Sequence, residues 1–260
     1  MQTCTSRLEA SGWSTIDPAL FLADATRRER DVAADFERLL RRFSPGPRVL
    51  ELCCGGASLV IALAERGYQV TGVDLGADML AHARRRVHSR PQHVQDAITL
   101  VHADVCGLDL GRTFDFVILE DDSFVYFLTP EDQLACLAAM RRHMHADACG
   151  LLRFTTPERE MLADEDYELD ATGRIKTLRP TWTLERDERR IQIAGGIERR
   201  RLTYRDELEE LLQAAGLEAV HRWGDLDGTP LIDPAFQEYC YLIRPAPTGD
   251  HPDATTPLST

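Results

Sequence analysis

The sequence has no apolar run long enough to cross a membrane, and no two cysteines have the C-x-x-C spacing of zinc and redox motifs. We therefore predict neither a transmembrane helix nor a metal centre built on spaced cysteines. The first dozen residues are polar and do not resemble a signal peptide. The seven cysteines are odd in number, which favours reduced thiols, so we expect a cytoplasmic protein.

Positive charge is also scarce, since the 260 residues include 30 Lys and Arg against 43 Asp and Glu. A negative surface repels phosphate backbones and anionic lipids, so we predict no nucleic-acid partner and no membrane partner. The eight histidines lack the spacing of metal ligands, so we predict no metal. A small-molecule substrate fits these exclusions, with the chain acting as a monomer or homodimer. An amine would be attracted, although acidic surfaces also simply keep proteins soluble.

Strand and helix patterns alternate along the first 155 residues, which is typical of a parallel sheet covered by helices. The strand patterns occupy 48–52, 68–75, 98–102, 114–119 and 151–154; helical patterns occupy 18–43, 57–66, 77–90 and a segment that follows Thr129-Pro130. We predict an α/β fold with a Rossmann-like, seven-stranded, mostly parallel sheet, helices on both faces and an antiparallel insertion after the fifth strand.

The alternation stops near Pro157. We expect an insertion at about 158–200 with two or three antiparallel strands, and then a helix that Thr203 opens and Gly216 ends. Two last strands are predicted at 217–223 and 239–243. The predicted domain therefore spans 18–244, between a flexible tail at 1–17 and a disordered tail at 245–260.

The segment Val49–Ser58 (VLELCCGGAS) carries the clearest chemical signal. A buried strand ends in small residues and runs into a helix, which lets the backbone approach a ligand closely. Asp74 follows nineteen residues after Gly55, at the end of the next strand. An acid at that place accepts hydrogen bonds from ribose hydroxyls, so the two elements predict an adenosine-binding crevice.

The loop does not have the G-x-G-x-x-G spacing of dinucleotide sites, and it begins with Glu51. A carboxylate repels a pyrophosphate but attracts the ammonium group of a methionine moiety. S-adenosylmethionine (SAM) is therefore favoured over NAD.

The chain resembles the class I SAM-dependent methyltransferases, and more narrowly the bacterial members that act on small molecules. The resemblance runs from about residue 18 to 244. It rests on four segments that match the family's motifs in order, Val49–Gly55, Gly72–Leu75 (GVDL), Ala103–Val105 and Ser123–Phe127 (SFVYF), and on Gly224–Pro230 (GDLDGTP) near the end.

This resemblance implies roles for individual residues. Glu51, with Cys53, Cys54 and Gly55, would hold the methionine part, and Asp74 the ribose. The remaining cofactor contacts implied are Leu75 and Met79 packing on the adenine, Asp104 and the Val105 N–H at its edge, and Glu120 near the methionine end. Ala57 stands where the family has a glycine, and a positive φ there would cost about 1 kcal/mol.

Candidates for chemistry follow the fourth strand, where three acids stand in a row. We predict Asp121, Asp122 and His221 as catalytic, either attracting an ammonium group or accepting a proton. Each acid is as readily a solvated loop charge, and for His221 a structural role on an edge strand is favoured over a catalytic one. The residues predicted to contact the substrate are Ser123, Tyr126, Trp182, Arg201 and Trp223.

We expect methyl transfer from SAM to a small-molecule acceptor, such as a natural-product intermediate, with S-adenosylhomocysteine as product. The three acids favour a nitrogen nucleophile slightly over oxygen or carbon. Two alternatives stay open: a non-catalytic SAM-binding protein and an NAD-type oxidoreductase.

Overall fold

The computed structural model of the chain describes residues 11–12, 32–163, 166–186 and 189–247. The N-terminal part of the helix predicted at 18–43 and nearly all of both predicted tails lie outside the described residues. The rest of the chain can be compared with the sequence element by element.

Seven α-helices lie within the described ranges, and most begin or end at the signals seen in the sequence. Their bounds are α1 (Ala33–Phe43), α2 (Ser58–Ala64), α3 (Ala77–His88), α4 (Gln92–Asp96), α5 (Pro130–Arg142), α6 (Pro157–Ala163) and α7 (Arg205–Ala214). At α5 the Thr129 side chain accepts a hydrogen bond from the Asp132 N–H and Pro130 occupies the first turn, as the sequence predicts.

Seven strands form the main sheet in the order β11-β12-β5-β4-β1-β2-β3. Their bounds are β1 (Arg48–Leu52), β2 (Gln69–Asp74), β3 (Ile98–His102), β4 (Phe114–Leu119), β5 (Met144–Thr155), β11 (Leu217–Trp223) and β12 (Glu238–Pro245). Neighbours from β3 to β5 are parallel, and β12 runs antiparallel to both β5 and β11. The predicted fold class is confirmed.

Each face of the sheet packs against its own hydrophobic cluster. One cluster joins alternate residues of the strands to α5 and α7, and includes Phe124, Phe154 and Tyr239. The other joins the remaining strand residues to α1, α2 and α3, and includes Phe36 and Cys240. Because the central strands β1 and β4 are buried on both faces, they read as nearly continuous apolar runs in the sequence.

The insertion after β5 is larger than the sequence suggests. The prediction of two or three strands is wrong, because helix α6 and five short strands occupy 157–201: β6 (Tyr167–Leu169), β7 (Ile175–Leu178), β8 (Thr181–Arg186), β9 (Arg189–Ala194) and β10 (Glu198–Arg201). They form a sheet ordered β10-β7-β6 and a separate β8-β9 hairpin, both antiparallel. These strands are rich in charged residues and lack the alternation of apolar residues from which strands are predicted in a sequence.

A buried chain of charges explains why the insertion is so polar. Lys176, the only lysine in the sequence, is fully buried and lies 3.3 Å from a Glu160 carboxylate oxygen. Arg200 bridges Glu160 at 2.9 Å and Glu198 at 2.9 Å. Buried charges persist only when they are paired in this way, so these side chains act as the insertion's core.

Helix α7 begins at Arg205 and not at Thr203, so the predicted capping box is wrong. The Thr203 hydroxyl instead accepts a hydrogen bond from the buried Gln133 amide, at 2.7 Å. This contact joins the insertion's exit to helix α5, and the buried amide had no recognisable signal in the sequence.

Asp115 fastens the start of β1 to β4 at the edge opposite the strands' carboxyl ends. It accepts hydrogen bonds from the Arg48 backbone N–H and guanidinium, both at 2.8 Å, and contacts His145 at 3.1 Å. The Arg48 side chain, opposed by partial burial, lowers the pKa of Asp115 to about 2. The folded-state pKa is therefore below the unfolded value, so this stabilisation is present above about pH 4 and lost as pH falls toward 2.

We expect Asp115→Asn to lower the free energy of unfolding at pH 7 by about 1–3 kcal/mol, because the amide keeps an acceptor but loses the charge. Urea unfolding at pH 7 and at pH 2.5 measures this, with the exposed Asp109→Asn as control. The difference between Asp115→Asn and the unchanged chain should shrink at the lower pH. A difference that stays constant between the two pH values would contradict the assignment.

Among the described residues, no helix is long and apolar enough to span a bilayer. No group of three or more His, Cys, Asp and Glu side chains in those ranges is placed to hold a metal ion.

Candidate functional site

The loop after β1 folds over the end of β2 and is held there by Asp74. One Asp74 carboxylate oxygen accepts from the Gly55 N–H and the other from the Gly76 N–H, each at 2.7 Å. The Cys54 N–H also donates to the Val73 carbonyl at 3.0 Å. A carboxylate has about four acceptor positions, so Asp74 keeps free lone pairs for further donors while it shapes the loop.

Three residues of this loop have positive φ: Cys53 at 58°, Gly55 at 50° and Ala57 at 60°. The positive φ that the sequence analysis considered for Ala57 is therefore present, and it carries the steric cost expected of alanine. Close approach also constrains Gly72 of β2, where a Cβ atom would lie 2.8 Å from the Cys54 sulfur. The loop is thus pressed against β2 in a strained and tightly specified conformation.

Glu51 lies in the middle of this region with only 5% of its surface exposed. Its Oε2 atom is buried and has no hydrogen-bond partner. Burial raises the pKa of Glu51 well above its usual value, and the nearby Glu120, Asp121 and Asp74 raise it further. An unpartnered buried carboxyl among three other acids is costly unless a positive or donor-bearing ligand meets it.

Glu120 follows β4 and forms an ion pair that the sequence analysis missed. Arg153 of β5 lies 2.7 Å from Glu120 and 2.6 Å from Glu238, and all three side chains are largely buried. Burial and the neighbouring Asp121 raise the pKa of Glu120 to about 7, even though Arg153 opposes that shift. A single charged residue in the apolar strand Leu151–Phe154 was the available signal for Arg153.

Asp121 and Asp122 both adopt left-handed backbone conformations, with φ of 55° and 60°. Two consecutive non-glycine residues there store strain, which is common at functional sites. Asp121 is exposed, whereas Asp122 accepts a 2.6 Å hydrogen bond from the Thr155 N–H. The structure therefore shows a structural contact for Asp122, between the ends of β4 and β5, and leaves Asp121 at the surface of the edge.

The residues expected around an adenine lie at the ends of β2 and β3. Met79 and Val105 are buried, and Leu75 is half-buried with its carbonyl 3.0 Å from His102 Nε2. Asp104 accepts a hydrogen bond from the Cys106 N–H at 2.9 Å. All of the predicted cofactor residues therefore lie at or next to the carboxyl ends of the adjacent strands β4, β1, β2 and β3, which we call the edge of the sheet.

Two of the predicted substrate residues lie on a short 3₁₀ helix, Ser123–Tyr126, which follows Asp122. Ser123 is half-buried. The Tyr126 hydroxyl donates to the buried Glu198 of the insertion at 3.0 Å, and the Arg200 guanidinium lies 5.9 Å from the Tyr126 ring centre. This 3₁₀ helix therefore joins the edge to the charged core of the insertion.

Arg201 is buried and paired with Glu207 of α7, although its Nε atom has no hydrogen-bond partner. Its ion pair makes it part of the packing between the insertion and α7. Trp182 belongs to β8, but its side chain lies outside the described residues.

His221 and Trp223 lie on the edge strand β11 and stack on each other with ring centres 5.0 Å apart. Both also contact Phe43 at the end of α1. Two strands separate β11 from β4, and a spacing of about 4.8 Å per strand places β11 roughly 14 Å away. The structure therefore does not bring His221 or Trp223 together with the acids after β4, and it gives His221 a packing role.

Strands, loop and acids define a class of protein: an open α/β sheet with a nucleoside-type crevice at the carboxyl ends of its parallel strands. Residues 49–147 match the family model described as a methyltransferase domain. A solved structure described as a SAM-dependent methyltransferase from Clostridium acetobutylicum ATCC 824 superposes with a TM-score of 0.71 at 15% identity, covering 85% of this chain and 95% of that one, and shows the shared fold.

Two curated relatives are similar in part. The ubiquinone biosynthesis O-methyltransferase of Psychrobacter arcticus is 36% identical over 88 residues, 34% of each chain. The dTDP-3-amino-3,6-dideoxy-alpha-D-glucopyranose N,N-dimethyltransferase of Streptomyces fradiae is 35% identical over 116 residues, 44% of this chain and 42% of that one. The chain thus spans 34% to 42% of the first curated relatives' length. Residues 49–147 thus match a methyltransferase domain, and the chain as a whole has the fold of a SAM-dependent methyltransferase.

The residues present fit SAM as a cofactor. The unpartnered Glu51 oxygen and the acids around it suit the positive ammonium and sulfonium groups of SAM. The same four carboxyl groups would repel the negative pyrophosphate of a dinucleotide, as expected from Glu51 alone.

Proposed function

We propose that this protein transfers a methyl group from SAM to an amine on a small molecule. The observation that carries the proposal is the buried carboxyl of Glu51, whose Oε2 atom has no hydrogen-bond partner and which lies near Glu120, Asp121 and Asp74. A sulfonium cofactor supplies an activated methyl group, so the protein's work is to orient two reactants and keep water out.

The cofactor would lie along the edge of β4, β1, β2 and β3. Glu51 Oε2 would accept from the methionine ammonium group, and the free lone pairs of Asp74 from the ribose hydroxyls. Cys53, Cys54 and Gly55 would present backbone to the ligand. Leu75, Met79, Asp104 and Val105 would surround the adenine. In this arrangement the cofactor would bind Glu51 Oε2 and the acceptor positions of Asp74 that are not used by the Gly55 and Gly76 N–H groups.

The acceptor would approach from the side of β4 and β5, below the insertion. An ammonium group is attracted by Asp121 at the exposed end of the edge and by Glu120 behind it. An amine must lose a proton before or during attack, and a carboxyl with a pKa near 7 can take it at neutral pH. Arg153 and Glu238 hold Glu120 in place, so Arg153 serves as a positioning residue.

The relatives alone do not decide between nitrogen and oxygen as the atom that receives the methyl group. The relative from Streptomyces fradiae is named as an N,N-dimethyltransferase, whereas the relative from Psychrobacter arcticus is named as an O-methyltransferase. The choice therefore rests on the acids: negative charge at the entrance attracts an ammonium group, whereas it does not attract a neutral phenol.

Calorimetric titration with S-adenosylhomocysteine, with NAD as parallel control, is the direct test of the cofactor site. We expect micromolar binding of the former alone. A panel of matched acceptors, such as benzylamine-type, phenol-type and carboxylate-type compounds, then tests the acceptor class with radiolabelled SAM. Binding without methylation of any compound would favour the non-catalytic alternative, and methylation of phenols alone would exclude the amine proposal.

A further inference from the structure

A cavity lies beyond β5, at the end of the sheet that also carries the proposed cofactor site. It is lined by residues other than the proposed cofactor and acceptor contacts. Its volume is about 350 Å³. Four segments form it: the start of α6, the start of α7, the loop between β11 and β12, and the start of β12. The lining residues are Glu158, Tyr204, Arg205, Asp206, Leu231, Ile232, Pro234 and Tyr239. This volume is within the range of sites for small molecules.

The loop that forms one wall is fixed by hydrogen bonds. The Gln237 side chain accepts from the N–H groups of Ile232 at 2.6 Å and Asp233 at 2.8 Å, and donates to the Pro230 carbonyl at 2.8 Å. The Thr156 hydroxyl donates to the Pro234 carbonyl. The wall is therefore preformed, which lowers the entropic cost of binding a ligand.

Glu158 gives the cavity its chemical character. Its Oε2 atom is buried and has no hydrogen-bond partner. Burial, followed by the charge of Glu158, raises the pKa of Tyr239 to about 12, so the phenol stays neutral beside the carboxylate. Arg205 and Asp206, which also line the cavity, are exposed and carry opposite charges. The cavity consequently combines apolar and aromatic walls with one unsatisfied negative group.

We propose that this cavity is a second binding site, which takes a small amphiphilic cation with its ammonium group on Glu158 and its apolar body between Tyr204, Tyr239 and Ile232. An ammonium group supplies the missing donor and neutralises the charge. Ile232 is 79% exposed, and a bound apolar body would cover part of that surface.

The cavity is separate from the proposed methyl-transfer centre because the two lie on opposite faces of the sheet. Tyr239 is paired with Phe154, and both belong to the cluster that faces α5 and α7. Arg153, which holds Glu120, is paired with Cys240 of the other cluster. Neighbouring residues in a strand point to opposite faces, so a ligand on Glu158 does not touch Glu120 across the sheet.

The probe is 2-phenylethylamine, measured by calorimetry or ligand-observed NMR in the absence of any methyl donor. We expect saturable binding of the amine and at least tenfold weaker binding of 2-phenylethanol and phenylacetate. Glu158→Gln should weaken amine binding tenfold or more. Ile232→Arg, an exposed position that leaves the core intact, should do the same because its cation competes with the ligand.

Glu168→Gln is the matched control, since it removes an exposed carboxylate of the insertion that does not line the cavity and should leave probe binding unchanged. Absence of saturable amine binding, or equal binding by Glu158→Gln and Ile232→Arg, would overturn the proposal. Both results are independent of SAM and of methylation, so they are distinguishable from failure of the proposed function. Competition between the probe and an acceptor found in the amine panel would contradict the separation of the two sites, whereas simultaneous binding of both would support it.

Discussion

Replacement of Asp74 by alanine should weaken binding of S-adenosylhomocysteine by about 1–3 kcal/mol, or roughly 5- to 150-fold. The change would remove acceptors for two ribose hydroxyls. It would also release the Gly55 and Gly76 N–H groups that now donate to Asp74 at 2.7 Å. Because the loop after β1 is strained at Cys53 and Ala57, loss of those contacts should let it relax away from the ligand.

Calorimetric titration measures this effect, and Asp78→Ala is a suitable control. Asp78 is an exposed acid in the first turn of α3, only four residues away, so its removal changes the net charge equally. Unfolding curves for both variants separate loss of binding from loss of stability. Equal affinity of Asp74→Ala and the unchanged chain would exclude Asp74 as the ribose ligand.

Replacement of Glu120 by glutamine should reduce kcat/KM for an amine acceptor by about 10- to 100-fold at pH 8, with binding of S-adenosylhomocysteine changed far less. Glu120 has a pKa of about 7, so its carboxylate form is populated above that pH and lost below it. The rate of the unchanged chain should therefore rise through pH 7 and level off. The glutamine variant should lose that step because an amide does not titrate.

Glu168→Gln, an exposed substitution in the insertion, is the matched control and should keep the step near pH 7. Glu238→Gln gives a second comparison, because it leaves Arg153 paired with Glu120 alone and should lower the pH of the step. A profile for Glu120→Gln that still rises through pH 7 would assign the titration to the acceptor amine itself.

The sheet could be predicted from the sequence because its strands are short, apolar and separated by clear helix signals. The Thr129-Pro130 start of α5 and Gly216 after α7 are local features that act in any context. The insertion could not be predicted in the same way. Its interior is made of Lys176, Glu160 and Arg200, and charged residues in a sequence indicate surface until their partners are known.

The positions of site residues could be predicted where a sequence motif fixes the backbone. They could not be predicted where the role of a side chain depends on a partner from another part of the fold. Glu51 and Asp74 lie at the expected edge because their strands are parallel neighbours. By contrast, Asp122 accepts a hydrogen bond from the Thr155 N–H, and Arg201 forms an ion pair with Glu207. Nothing in the sequence identifies these two partners. His221 was predicted as catalytic, but the strand order places it on the outermost strand β11, with two strands between it and β4.

The insertion's attachment has a consequence for making chimeric proteins. Its charged interior is mostly satisfied within residues 157–201, and it contacts the 3₁₀ helix after β4 through the Tyr126 hydroxyl and Glu198. A segment cut at Thr155 and Leu202 therefore carries its own ionic core. Exchanging it for the corresponding segment of a relative, with Tyr126 retained, offers a way to alter acceptor preference while leaving the cofactor half of the chain untouched.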